Sequence, residues 1–453
     1  MIVLKFGGTS VGDAAAIRRT AGIVATRLDR RPIVVVSALA GVTNALIAIA
    51  EQAAKGQLIG AIRAIEGLRE RHLEQTELLL GSSEESADTG AEVSAMIDEL
   101  AHLAEALATL GDLTPRSLDA IASFGEKLSS QMCVAAFTRE GVPAQHVDAC
   151  AVMITDDSYT RAEPQPDAIT ERCRAEIVPL VRAGRVPVLG GFIGSAKGTG
   201  VTTTLGRGGS DYSASLVGAA VKAEAIEIWT DVDGMLTADP RVVSDAKLIE
   251  RIGFDEASEL ASFGAKVLHP NTIAPAVRLG IPVLVLNSRR PEGNGTVITF
   301  EAPRRAVTAI AGKADVTLIK VGSSRMLLTE GFLRALFDIF ERHRTSVDVV
   351  ATSEVSVSLT IDDASRLDTL LTDLRALGDV SVERNRGIVA VVGAALSEGG
   401  AAMANALSAL GDVRVHMLSL SSSGINLTMV VDAEQVKPAM QRLHNAFFGR
   451  ETT

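Results

Sequence analysis

Through about its first 300 residues the chain alternates short, β-branched, fully apolar runs with longer amphipathic stretches, and this alternation restricts the fold more than any other feature. The runs predict strands at Ile2–Phe6, Ile33–Ser37, Pro187–Ile193, Ala225–Thr230 and Pro282–Asn287. The stretches between them predict helices such as Ala14–Leu28, Val42–Lys55 and Ser210–Val221. Strands without a polar face must be covered on both sides, so the pattern implies an α/β fold with a parallel-rich sheet. Residues 57–140 hold no convincing strand and read as a helical subdomain closing with a helix over Leu118–Thr138.

Beyond about residue 303 the texture changes to an internal repeat. VTLIKVGSS, a helix over Gly331–His343 and VDVVATSEVSVSLTID are answered by GIVAVVGAA, a helix over Gly399–Leu410 and VRVHMLSLSSSGINLTMVVD. Further helical stretches, Ala364–Leu377 and Ala433–Phe447, end the copies. Matching Gly331 with Gly399 and Leu359 with Leu427 gives an offset of 68 residues. Each unit is β-α-β-β-α-β, a split-βαβ sandwich.

The 453 residues suggest roughly three compact units. Net charge is −11 and aromatics are only 3%, which argues against a nucleic-acid surface of clustered cations and stacking rings. Cys133, Cys150 and Cys173 form no paired spacing and suit a reducing compartment, hence the cytoplasm. No apolar run is long enough to span a bilayer, so no membrane partner is expected.

Four motifs carry chemistry. Lys5-Phe6-Gly7-Gly8-Thr9-Ser10 leaves the first strand for a helix, where glycine amides, a lysine and a helix N-terminus can cradle an anion. The same residues also suit a plain strand-to-helix turn. Leu205-Gly206-Arg207-Gly208-Gly209-Ser210-Asp211 forms a second nest, with Arg207 able to grip a carboxylate or phosphate. Ser210 and Asp211 also suit a helix start. TDVDGMLTADPR, residues 230–241, brings Asp231, Asp233, Asp239 and Arg241 to a strand's C-terminal end, where open α/β sheets place ligands. Within FGAKVLHP, residues 263–270, Lys266 can reach a phosphate or remain a solvated lysine. Glu126, in an apolar helix, is either a buried acid for a substrate amine or a paired helix carboxylate. Two cradles, cations and scattered aspartates together describe phosphoryl transfer. No G-x-S-x-G elbow supports a hydrolase.

At these motifs the sequence resembles the aspartate kinases of the amino acid kinase family. KFGGTSV, SA-x-AG-x-TN at 37–44, SFGE at 123–126, GGFIGS at 190–195, TTTLGRGGSDY at 202–212, TDVDG, TADPR and FGAKVLHP occur in family order along essentially the whole chain. The resemblance implies an amino acid kinase α/β/α sandwich with a helical subdomain over 1–300, followed by two ferredoxin-like ACT domains. The first would span 315–385 and bind an effector. The second would combine 303–314 with 386–453 and serve assembly, as a homodimer or homotetramer.

The implied reaction is MgATP plus L-aspartate giving ADP and 4-phospho-L-aspartate, the first step of lysine, threonine and methionine biosynthesis. By resemblance, Lys5 and Asp211 are catalytic, and Ser37, Thr43, Glu126, Phe192, Arg207 and Ser210 surround aspartate. Lys5, Gly7, Gly8, Thr230, Asp231, Leu236, Arg241, Lys266 and Val267 would surround the nucleotide, with direct Mg²⁺ ligands left open. Leu236 departs from the tyrosine of many members, which removes a hydroxyl contact while leaving an apolar cover. At the 68-residue offset, Asp348 meets His416, Glu354 meets Ser422 and Phe332 meets Gly400, so only the first ACT copy keeps two acids and an aromatic. A cationic effector needs such acids. L-lysine is the expected effector, held by Met326, Phe332, Leu333, Ser346, Val347, Asp348, Ser353 and Glu354.

Overall fold

The computed structural model describes residues 1–263, 272–323, 326 and 330–449. Two compact units divide the chain: 1–235 with 272–300, and 236–263 with 301–449. The second therefore takes up a stretch, 236–263, that the sequence reading assigns to the catalytic module.

The first unit begins β1 (Ile2–Phe6), α1 (Ala14–Ala25), β2 (Pro32–Val36), α2 (Val42–Ala54), α3 (Leu58–Leu80) and α4 (Glu84–Leu110). Next come α5 (Pro115–Ala122), α6 (Phe124–Arg139), β3 (Ala144–His146), α7 (Ala149–Val152), β4 (Ile154–Thr155), α8 (Pro166–Arg172) and α9 (Val178–Arg182). Then follow β5 (Val186–Gly190), β6 (Ile193–Ala196), β7 (Thr202–Thr204), α10 (Gly209–Val221) and β8 (Ala225–Thr230). In the second unit lie β9 (Arg251–Ile252) and α11 (Phe254–Ser262); the first unit resumes with α12 (Ala274–Arg278), β10 (Val283–Asn287) and β11 (Thr296–Ile298).

Its main sheet runs β3-β5-β2-β1-β8-β10-β11, parallel except for the β10/β11 pair. Strand alternation decides what β1 offers to each side. Ile2, Leu4 and Phe6 enter a core shared with α1, α2, α3, α4 and α6, and Trp229 stacks on Phe6 there. The residues between them face α10. Gly218 permits that approach, since a Cβ there would sit 2.7 Å from Ile226 Cδ1 and 3.7 Å from Val3 Cγ2. Lys5 thus leaves β1 on the α10 side.

Three sequence expectations need correction here. The helix over Leu118–Thr138 is two helices meeting at Ser123. That bend sets Gly125 against the loop after β2, where an added Cβ would lie 2.7 Å from Ala38 Cβ. The strand over Pro187–Ile193 breaks into β5 and β6. Gly191 packs so closely that its Cβ would lie 2.8 Å from Ser210 Cα, and Phe192 turns the chain with a φ of +66°. Finally, the first glycine pair does not lead directly into a helix: α1 starts at Ala14, where the sequence pattern puts it, capped by the Asp13 side chain, which accepts from Ala16 N–H.

The second unit continues with β12 (Ala309–Gly322), α13 (Phe332–Arg342), β13 (Val350–Thr352), β14 (Ser356–Ile361), α14 (Leu367–Leu374) and β15 (Asp379–Val392). It ends with α15 (Ala401–Leu410), β16 (Met417–Leu420), β17 (Asn426–Asp432) and α16 (Val436–Phe448). One antiparallel sheet, β13-β14-β12-β15-β17-β16, serves both repeats. The pairing of β12 with β15 shifts register between Lys313 and Leu318, with Asp315 at φ +61°. Before the shift, Ala309–Lys313 pairs with the half of β15 that leads into the second copy; after it, β12 also pairs with β14 of the first. Each copy has its own apolar core.

In the segment that carries Asp348 and Glu354 the 68-residue offset holds. Asp348 N–H donates to Thr360 O as His416 N–H does to Val430 O, the pair Val350–Leu359 is repeated as Leu418–Met429, and the helix N-caps Gly331 and Gly400 lie one residue further apart. Asp348 therefore corresponds to His416 and Glu354 to Ser422, while Ala401 opens the second helix where Phe332 opens the first. The second copy still lacks both acids and the aromatic ring.

Buried polar contacts tie 236–263 to the second repeat. Glu256 accepts from the Thr308 hydroxyl and from the N–H groups of Gly253 and Ala394, and Thr237 shares a 2.9 Å hydrogen bond with His444.

Candidate active site

Parallel strands bring the tips of β1, β2, β5 and β8 to one edge, and a cavity of about 600 Å³ opens beside it. Its lining includes Lys5, Gly8, Ser37, Thr43, Glu126, Phe192, Arg207, Ser210 and Asp211. All the residues expected to surround aspartate are thus gathered in one place, from positions spread between Ser37 and Ser210.

Lys5 Nζ lies 2.7 Å from Asp211 Oδ1, and both side chains are largely buried. The glycine pair after β1 forms a turn, with Gly7 N–H donating to Trp229 O and Ser10 N–H to Gly7 O. Lys5 Nζ sits 3.6 Å from the point where a Gly7 Cβ would be. Gly8 passes so near the loop after β2 that its Cβ would lie 2.9 Å from Ala38 O. A side chain there would push the two loops apart.

Opposite lies the second nest. Gly206 and Gly208 take φ values of +75° and +72°, which favour glycine, and Gly208 is the N-cap of α10. The first residues of α10 line the cavity, so free amide donors and the positive end of the helix face it. Arg207 makes no side-chain hydrogen bond or ion pair among the described residues and can take a ligand carboxylate. Ser213 hydroxyl accepts from Phe192 N–H and holds the left-handed turn that places the Phe192 ring.

Glu126 is 3% exposed. Its Oε1 accepts from Ala38 N–H at 3.2 Å, while Oε2 has no hydrogen-bond partner. Burial pushes its carboxyl up to about 8, against the pull of the Ala38 amide and the charge of Lys5. A buried carboxyl with an open oxygen beside a cavity is suited to a ligand ammonium.

Thr230 ends β8, next to β1, and Asp231 follows it, so they share the sheet edge with Gly7 and Gly8. Of the residues expected at the end of this strand, Asp231 and Asp233 belong to the first unit and Asp239 and Arg241 to the second. Thr230 hydroxyl donates to Asp231, Asp233 pairs with Asn287 and Arg290, and Asp239 pairs with Arg241 in the second unit. Leu236 and Arg241 belong to the second unit, and Leu236 bridges to Leu248 there. Lys266 and Val267 lie outside the described residues.

Among the residues expected to hold the effector, Met326, Phe332 and Val347 pack on the core of the first repeat. Leu333 and Ser346 are exposed, and Ser353 and Glu354 occupy the exposed turn between β13 and β14. Asp348 Oδ1 accepts from Lys313 Nζ at 3.0 Å, and its buried Oδ2 has no hydrogen-bond partner. Burial raises the Asp348 carboxyl, with Lys313 opposing. Lys313 was not singled out from sequence, because nothing near it in the chain marks it as the partner of both Asp348 and Asp362. Asp119, which also lines the cavity, was missed for the same kind of reason.

Among the described residues no three His, Cys, Asp or Glu side chains gather as a metal cage, and no helix is long and apolar enough to cross a membrane.

Residues 1–287 match the model of the amino acid kinase family, and residues 389–447 match an ACT domain. Lysine-sensitive aspartokinase 3 of Escherichia coli (strain K12) is 40% identical over 457 residues, covering 99% of both chains. Aspartokinase 1, chloroplastic, of Arabidopsis thaliana is 35% identical, covering 98% of this chain and 80% of its own. The crystal structure of E. coli aspartokinase III with aspartate and ADP (R-state) superposes with a TM-score of 0.86 at 38% identity, covering 99% of this chain and 100% of that one. The same enzyme with lysine and aspartate (T-state) gives 0.83, covering 99% of each chain.

Proposed function

The chain belongs to the amino acid kinase family, as an aspartokinase with ACT domains, and from that premise we propose how its residues divide the work. It transfers the γ-phosphoryl group of ATP to the side-chain carboxylate of L-aspartate and is regulated by L-lysine. The reaction begins the biosynthesis of lysine, threonine and methionine.

The carboxylate is already an anionic nucleophile, so no general base is required. The task is to align two anions and offset the charge that builds as they meet. Lys5, held by Asp211, faces the transferring phosphoryl group, with the Gly7 and Gly8 amides alongside. Arg207 and the start of α10 take the aspartate α-carboxylate; the open oxygen of Glu126 takes its ammonium. Ser37, Thr43, Phe192 and Ser210 shape the remaining wall. Thr230 and Asp231 receive the nucleotide, and Leu236, Arg241, Lys266 and Val267 complete that role from elsewhere in the chain.

Mg²⁺ suits a site with few carboxylates, because it keeps waters and phosphate oxygens as ligands and needs only one or two protein groups. Asp211 is the cavity carboxylate available for it, and the ion would offset phosphate charge. The observation that carries the reading is the convergence of Lys5, Asp211, Arg207 and Glu126 on one cavity.

We further assign 1–300 as the catalytic module, 315–385 as the effector-binding ACT domain, and 303–314 with 386–453 as the assembly ACT domain. L-lysine is held by Met326, Phe332, Leu333, Ser346, Val347, Asp348, Ser353 and Glu354, its ammonium groups meeting Asp348 and Glu354. The outer strands β13 and β16 support assembly as a homodimer or homotetramer, with Leu418 and Leu420 of β16 exposed. Three free cysteines support a cytoplasmic setting.

ADP release with substrate analogues tests the assignment. L-aspartate is turned over, whereas N-acetyl-L-aspartate, which lacks the ammonium, is not. Equal turnover of both would overturn the role of Glu126, and no turnover of L-aspartate would overturn the function.

A further inference from the structure

We propose that Asp119 is a positioning residue for aspartate binding, its buried carboxylate fixing the backbone that carries Arg207. The inference rests on the reading of Arg207 as the grip on the substrate α-carboxylate.

Asp119, in α5, is 1% exposed yet reaches the cavity wall. Its Oδ2 accepts from Thr160 N–H at 2.8 Å and from Thr204 N–H at 2.9 Å. Its Oδ1 accepts from the Thr204 hydroxyl at 2.6 Å. One carboxylate therefore joins three chain segments that meet only in the folded protein. Burial raises its carboxyl above the usual range, and these three donors pull the other way.

Both recipients lead to the same nest. Thr160 holds a φ of +71°, a conformation that a β-branched residue keeps only where its surroundings enforce it. Its carbonyl oxygen presses on Gly206, lying 3.1 Å from the point where a Cβ would be. Thr204 ends β7, three residues before Arg207, and its carbonyl accepts from Ala162 N–H. The Thr160 turn and β7 are thus clamped on both sides of Gly206. No protein group steers the Arg207 guanidinium directly among the described residues, so the backbone beneath it decides where it points. A shift of even an ångström there weakens a bidentate grip.

Asparagine can replace this carboxylate. Its carbonyl would serve the two amides, and its NH₂ would donate to the Thr204 hydroxyl, which can accept. Alanine cannot.

Steady-state kinetics on the full chain, with melting temperatures of every variant, test the proposal. Asp119→Ala is expected to raise KM for aspartate about tenfold or more and leave KM for ATP within about twofold, while Asp119→Asn restores aspartate KM to within about threefold of wild type. Placed in an Arg207→Ala background, Asp119→Ala should add less than about twofold, because its effect runs through Arg207. Thr204→Val, which keeps the backbone donor and removes the hydroxyl, should raise aspartate KM about threefold, and it carries the test if Asp119→Ala does not fold. The proposal is overturned if aspartate and ATP KM rise together, if Thr204→Val and the Asp119 variants leave aspartate KM unchanged, or if the Asp119 and Arg207 effects simply multiply. If Arg207→Ala itself leaves aspartate KM unchanged, the underlying reading of Arg207 fails as well.

Discussion

Lys5 Nζ and Asp211 Oδ1 stand 2.7 Å apart, joining the end of β1 to the first turn of α10 inside the cavity wall. The pair aims an ammonium at the space between the two glycine nests. An ammonium so placed acts on charge that develops during transfer more than on the resting substrates.

Lys5→Met should therefore lower kcat by about 10²–10³ while changing KM for aspartate by less than about threefold. Initial-rate measurements at varied aspartate check this. A large rise in aspartate KM with kcat unchanged would move Lys5 from the reacting group to the substrate grip.

Glu126 predicts a pH dependence. Its carboxyl, raised to about 8 by burial, must lose its proton before it can pair with the substrate ammonium. For the wild type, kcat/KM for aspartate should rise with pH, pass half its limit near pH 8 and level off above it, since that ratio reports groups of the free enzyme. Glu126→Gln should raise aspartate KM by tenfold or more and remove this rise. The profiles are measured at saturating MgATP.

The same group predicts a stability difference. A carboxyl raised in the folded state favours folding fully below its unfolded value near 4.5, and that contribution is lost as pH climbs through about 8. Without ligands, Glu126→Gln should melt above the wild type at pH 9, and the advantage should disappear near pH 4.5. Thermal unfolding across that range checks the sign.

In the first repeat, Asp348→Ala should raise the lysine concentration for half-inhibition about tenfold or more, and Glu354→Ala should act in the same direction. Activity without lysine should stay within about twofold. His416→Ala, at the position corresponding to Asp348 in the second repeat, should leave lysine inhibition unchanged. Inhibition curves for the three variants check the asymmetry between copies.

What was legible in the sequence was whatever depends on neighbours in the chain. β1 and β8 could be bounded because an apolar run ends where a polar or glycine residue follows, and the two anion nests could be seen because their glycines are contiguous. Contacts between distant segments were not legible. Asp119 acquires its place only from Thr160 and Thr204, 41 and 85 positions away. Lys313 likewise meets Asp348 across 35 positions. The strand expected to run on to Ile193 stops at Gly190 because Gly191 is pressed between Ser210 and Val35, which no local pattern announces. The 68-residue offset holds between Asp348 and His416, but the helix N-caps Gly331 and Gly400 are one residue further apart, which the adjacent glycines 399 and 400 hide in the sequence.

The most direct test of the account traps the acyl phosphate. Incubation with MgATP, L-aspartate and hydroxylamine should give aspartyl hydroxamate in step with ADP, and the yield should fall about 10²–10³-fold for Lys5→Met at equal protein. ADP release without aspartate-dependent hydroxamate, or equal yields from wild type and Lys5→Met, would contradict it.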